Sequence, residues 1–155
     1  MRRIALLSCV AVLFGCAKSD QPAADTTTAA PPPAPPPKTI ALSDVAGKWD
    51  VKGMNETGDS TLVTYVFTAT GDTSGWTITF PGRKPVPVHV VAVEGDSIRI
   101  QAGPYPSMLR KGVQVRTSGP VRLQDGKLVG TMKAQYSVKT ADSVRMVRIE
   151  GTKVP

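Results

Sequence analysis

From Gly47 to Ile149 apolar and polar residues alternate almost without interruption, and a period of two leaves a chain few ways to bury itself. Successive side chains of an extended strand point to opposite faces, so this alternation marks strands with one face in a core. Trp49 and Val51 alternate with Lys48, Asp50 and Lys52, and Val63, Tyr65, Phe67 and Ala69 alternate with Leu62, Thr64, Val66 and Thr68. After Gly71-Asp72, Trp76, Ile78 and Phe80 alternate with Thr77 and Thr79; after Pro81-Gly82 come Val86, Val88, Val90 and Ala92. Glu94-Gly95-Asp96 precedes Ile98 and Ile100, which alternate with Arg99 and Gln101, and Val113 and Val115 alternate with Gln114 and Arg116. Asp125-Gly126, a strong hairpin signal, leads to Leu128, Gly130, Met132, Ala134 and Tyr136. The last segment carries Val144 and Met146 on one face and Val147 and Ile149 on the other.

The pattern predicts an all-β domain: eight antiparallel strands joined mostly by hairpins in a meander. An open sheet of that size exposes two unpaired edges. Pairing the first strand with the last gives an up-and-down barrel, with an interior wide enough for side chains or one small ligand. A two-sheet β-sandwich fits the same strands and remains the alternative.

The amino terminus reads differently. Met1-Arg2-Arg3 is followed by an apolar run, Ile4–Phe14, then Gly15-Cys16. The run is about eleven residues, short of the roughly twenty that a membrane-spanning helix needs, and it has the layout of a secretory signal. Leu13-Phe14-Gly15-Cys16 resembles a lipobox, the site at which bacteria attach diacylglycerol to cysteine before cleavage; Phe14 is bulkier than the small residue usual there. Residues 1–15 are therefore expected to be a signal peptide and Cys16 the lipidated first residue of a bacterial lipoprotein. The other cysteine, Cys9, falls inside the signal, so no disulfide and no second thiol are expected in the mature chain. Ala17, rather than aspartate, follows the cysteine, which points to the periplasmic face of the outer membrane.

Residues 16–39 read as the lipidated cysteine and a disordered tether, rich in Ala, Thr and Pro and ending in the run Pro31–Pro37. Such a composition cannot bury an apolar face, and the prolines make a stiff spacer of roughly 20 Å in polyproline II form. Residues 40–155 are expected to form the folded domain. The whole chain has a formal charge of +7, and its cations are scattered singly. A solvated basic surface is the plain meaning, attraction to anionic headgroups or glycans the functional one. Export excludes nucleic acid as a partner.

Gly47-Lys48-Trp49, opening the first strand, resembles the Gly-x-Trp signature of lipocalins and the wider calycin superfamily, and Asp125–Thr131 and Gly151-Thr152-Lys153 resemble motifs of small bacterial lipocalin-like domains. The resemblance implies that Gly47 and Trp49 close one end of a barrel, the indole N–H donating to a backbone carbonyl. It also implies a basic side chain of the last strand over that tryptophan: Arg145, Arg148 or Lys153. Avidins share the opening, but their biotin-binding set has no counterpart here.

Catalytic signals are sparse. His89 is the sole histidine, most carboxylates sit in turns, and the serines lack a nucleophile-elbow context. No catalytic residue, metal site or cofactor is expected. The stretch Gly103–Gly112 reads as the longest irregular connection, with Tyr105, Met108 and Leu109 beside Arg110 and Lys111, and loops of this length are often lids. Tyr105 and Leu109 are expected to cover a barrel mouth, with Arg110 and Lys111 meeting an anionic headgroup. Tyr65, Phe67, Trp76, Ile78, Met132 and Tyr136, together with Tyr105 and Leu109, are the expected ligand-binding residues. The expected function is that of a monomeric, non-enzymatic, membrane-anchored envelope lipoprotein binding a small lipophilic ligand. The alternative is a solid structural or interaction module contacting a protein, peptidoglycan or lipopolysaccharide; an enzyme with an unrecognised carboxylate site is the third reading.

Overall fold

The computed structural model describes residues 39–155; the expected signal peptide, Cys16 and the Pro-rich run lie outside the described residues. The alternating segments form β1 (Gly47–Asn55), β2 (Thr61–Ala69), β3 (Thr77–Thr79), β4 (Val86–Glu94), β5 (Ser97–Pro106), β6 (Gln114–Gln124), β7 (Lys127–Tyr136) and β8 (Val144–Lys153). Each strand pairs antiparallel with the next, and β8 pairs with β1, giving a closed barrel of eight strands in sequence order. Closure excludes the sandwich: Trp49 faces Phe67 on one side and Lys153 on the other, so neither terminal strand keeps a free edge.

The even-spaced apolar residues line the interior. Trp49, Val51, Phe67, Ile98, Ile100, Val121, Leu128, Met132, Tyr136, Val147 and Ile149 are all buried. Gly53 continues the inward row of β1, where a Cβ would come within 2.8 Å of the Val63 side chain. Every strand finds both neighbours within residues 47–153, and the core lies between Val45 and Ile149. Residues 39–155 thus contain every strand pairing that closes the barrel.

The two ends differ. At the plug end lie the short 3-10 turn Leu42–Val45, the start of β1, the 70–76 connection, the β4–β5 and β6–β7 turns and the end of β8. The Ile40 N–H donates to the Gly95 carbonyl at 2.9 Å, so the described chain joins the barrel at this end. The β6–β7 turn has positive φ at both Asp125 (52°) and Gly126 (75°), the type I′ geometry that suits a two-residue hairpin. At the mouth end lie the connections 56–60, 80–85, 107–113 and 137–143.

Two local expectations are corrected. Ordered pairing in β3 covers only Thr77–Thr79, not Trp76–Phe80, because Pro81, Pro85 and Pro87 withhold N–H donors from that hairpin. The supposed loop at 103–112 is strand as far as Pro106. A register shift between Ala102 and Tyr105 lets β5 resume pairing with β6 at Tyr105↔Val115. Gly103 makes this bulge, with φ +98° and a position where a Cβ would sit 2.7 Å from the Val115 carbonyl oxygen.

Candidate functional site

The site is the part of the lumen nearest the mouth. A cavity of about 70 Å³ remains there, lined by Val51, Val63, Tyr65, Phe67, Ile78, Phe80, Ile100, Tyr105, Val115, Thr117, Val121, Leu128, Met132, Ala134, Tyr136, Val147 and Ile149 and roofed by Ser107, Met108 and Leu109. Its walls follow from the strand register. Small β-branched residues dominate β1, β6 and β8, and they leave the space that the aromatics of β2 and β5 do not fill. The Phe80 ring sits 5.6 Å from Tyr65 and 5.5 Å from Tyr105, centroid to centroid, so three rings form one wall.

The roof is held by a single buried hydroxyl. Ser107 Oγ accepts hydrogen bonds from the Leu109 N–H at 3.1 Å and the Arg110 N–H at 3.0 Å, which satisfies donors the tight 107–113 turn would otherwise strand. The Ser107 N–H donates to the Val113 carbonyl, closing the base of the turn. Arg110 then lays its guanidinium 4.3 Å from the centre of the Tyr136 ring, and Met108 stays 39% exposed.

Inside, polarity is limited to hydroxyls. Tyr105 Oη and Thr117 Oγ1 are 3.5 Å apart, either able to donate. Burial pushes the Tyr65 phenol well above its usual range, and the neighbouring Tyr105 adds to it. Burial also raises Tyr105; the contact with Thr117 partly offsets this, and nearby Tyr136 raises it further. Both phenols therefore stay neutral, and Tyr105 has Thr117 as its hydrogen-bonding partner. The lining described above holds no His, Cys, Asp or Glu, and among the described residues no cluster of such groups has metal-binding geometry.

Seven of the eight expected ligand residues converge on this cavity: Tyr65, Phe67, Ile78, Tyr105, Leu109, Met132 and Tyr136. Trp76 does not. It is buried toward the plug end, where its indole N–H donates to the Asp72 carbonyl at 2.7 Å and its ring meets Phe67 edge-on at 5.5 Å. The alternation assigned its face but not its height in the barrel. Tyr105 is a wall residue of β5, not part of the lid, because the strand extends to Pro106. Thr117 was missed, although it continues the inward row Val113, Val115. Ser107 was missed too; a serine just ahead of a Gly-ended polar turn, where its hydroxyl can accept from N–H groups two and three residues on, was the available signal.

At the plug end Trp49 is buried to 2% exposure, and its indole N–H donates to the Val45 carbonyl at 2.8 Å. Lys153 is the basic residue above it, its ammonium 5.4 Å from the ring centre. Arg145 and Arg148 are elsewhere because β8 begins at the mouth: Arg145 donates to Asn55 Oδ1 at 2.6 Å and Arg148 to Asp59 Oδ1 at 2.7 Å. Gly47, with φ +129°, leaves room for the Lys153 stem, whose Cε would lie 3.0 Å from a Cβ there. His89 is exposed on the outer face of β4. No family model, curated protein or solved structure matches this chain.

Proposed function

We propose that this chain is a bacterial envelope lipoprotein, acylated at Cys16 and facing the periplasm from the outer membrane, whose lipocalin-like barrel receives a small apolar or amphipathic ligand at its mouth. The observation that carries the reading is the apolar cavity beneath the Ser107–Leu109 roof. It exceeds the 10–15 Å³ or so that a single water needs, yet at about 70 Å³ it falls short of the roughly 300 Å³ of an ordinary ligand pocket. A ligand of more than a few heavy atoms thus requires the roof to swing aside, and a loop pinned by one serine hydroxyl is suited to that. The protein acts by binding, without a catalytic step, and as a monomer.

Native mass spectrometry of residues 39–155 purified from the periplasm tests the ligand reading. A co-purifying small-molecule adduct lost on denaturation is expected; bare protein masses across preparations overturn it. The small cavity also favours a second reading, a packed module that touches an envelope protein, peptidoglycan or lipopolysaccharide through its basic surface, and bare masses would leave that one standing. Independently, Cys16→Ser should abolish incorporation of labelled palmitate, and persistent labelling would refute the anchor.

A further inference from the structure

The charge of this barrel is sorted between its ends. The plug-end connections carry Asp44, Asp72, Asp96 and Asp125 and no lysine or arginine among the described residues, so that Lys48, Lys127 and Lys153 on the adjoining strand ends do not outnumber the acids there. The mouth-end connections carry Arg83, Lys84, Arg110, Lys111 and Lys139 against Glu56, Asp59 and Asp142. Of those acids Asp59 is already taken by Arg148 at 2.7 Å. Arg110 and Arg145, also at the mouth, meet only a neutral ring and a neutral amide, Tyr136 and Asn55. Neither forms an ion pair among the described residues; the pairs there belong to Arg99, Lys127 and Arg148.

Two features therefore coincide: the cavity opens at the end where the excess cations stand. Charges more than about 8 Å apart are screened at physiological ionic strength, so a cationic rim acts on what arrives at the mouth and little elsewhere. Arg110 connects the two features directly. Its backbone N–H is held by the roof's Ser107, and its guanidinium lies on Tyr136, whose ring lines the cavity. When the roof moves, Arg110 moves with it, and an anionic group can replace the Tyr136 ring as its partner. A guanidinium gains more from an anion than from an aromatic face.

We infer that the ligand is an amphiphile with an anionic head, its apolar chain in the lumen and its head at the rim on Arg110. This rests on the ligand-binding reading above and narrows it to a class. The neutral phenols of Tyr65 and Tyr105 lie inside, where a charge would be desolvated, so the head stays outside and the chain goes in.

The test is a methyl chemical-shift titration of residues 39–155 with three octyl compounds differing only in head: octanoate, 1-octanol and octylammonium. Met132 reports from the cavity and Met108 from the roof. Octanoate is expected to shift both methyls, with an affinity about tenfold above that of octanol, and octylammonium to bind more weakly than either. Arg110→Gln should bring the octanoate-to-octanol ratio close to one, and added salt should narrow it in the unaltered protein. Inorganic phosphate alone should leave Met132 unshifted; if it displaces octanoate, recognition lies in the head alone and the inference falls. Equal affinity for the three heads overturns the anionic class and leaves ligand binding intact. Shifts at Met108 without any at Met132 show a surface interaction and overturn it as well. No binding of any octyl compound overturns this inference and the ligand reading together.

Discussion

The Trp49 indole N–H donates to the carbonyl of Val45 at 2.8 Å, tying the 3-10 turn that precedes the barrel to the first strand. Val45 is itself fully buried, so its carbonyl has no water to turn to. Trp49→Phe keeps an aromatic plug but removes the donor, at an expected cost of about 1–3 kcal/mol from the orphaned carbonyl. Lys153→Met, which removes only the cation above the ring, should cost about 0.5–1 kcal/mol. Urea unfolding of both variants checks the order, and a Lys153 effect as large as the Trp49 effect would contradict it.

A second prediction concerns the crossing of β6 and β7. Their pairing is interrupted between Ser118↔Lys133 and Val121↔Gly130 without any change of register, and the backbones press together there. A Cβ on Gly130 would collide with the Pro120 carbonyl oxygen and meet Val121 Cα at 3.4 Å. Backbone cannot rotate away as a side chain can. Gly130→Ala should lose about 1–3 kcal/mol, whereas Gly71→Ala, which meets nothing within 4 Å, should stay within about 0.5 kcal/mol of the parent. Thermal unfolding of the pair separates them; equal melting temperatures would refute the steric account.

The roof is expected to loosen when its anchor is cut. Ser107→Ala removes the acceptor of two backbone donors, a loss of about 1 kcal/mol on the scale of a helix cap. Because both donors are in the roof, amide exchange at Leu109 and Arg110 should accelerate about fivefold or more while exchange in β6 and β7 is unchanged. Uniform acceleration throughout the barrel would mean that Ser107 supports the whole fold and not the lid.

Acid should act on the 70–76 connection. The Ser74 hydroxyl, the Ser74 N–H and the Thr70 hydroxyl all bond the Asp72 carboxylate and hold it below the usual carboxylate range. A lowered folded value means the stabilisation is fully present above the ordinary carboxylate pKa of about 4 and is lost as pH falls through the lower folded value. Asp72→Asn should therefore melt below the parent at neutral pH, and the gap should close in strong acid. Parallel melting curves over the whole range would contradict this. The exposed Lys127–Glu150 pair, whose contact raises the lysine and lowers the glutamate, is screened by water and should add little.

How much of this was legible depends on the range of the interaction. Period-two alternation assigned the inward faces of β1, β2, β5 and β7 because a pleat alternates whatever surrounds it. Asp125-Gly126 announced its hairpin because few residues tolerate two successive positive φ values. These are short-range facts, set by neighbours in the chain.

What the amino-acid sequence determined by itself, then, was the strands, their order and which side chains look inward. Only the tertiary structure decided that β8 meets β1, that Trp76 stands at the plug end and outside the cavity, that Lys153 and not Arg145 or Arg148 lies over Trp49, and that about 70 Å³ remains empty beneath Ser107. The physical reason is common to all four. Pattern gives a residue's face, but its height along the barrel axis is set by register. Register in turn depends on bulges such as the one at Gly103 and on contacts between strands distant in the chain, which no local period encodes.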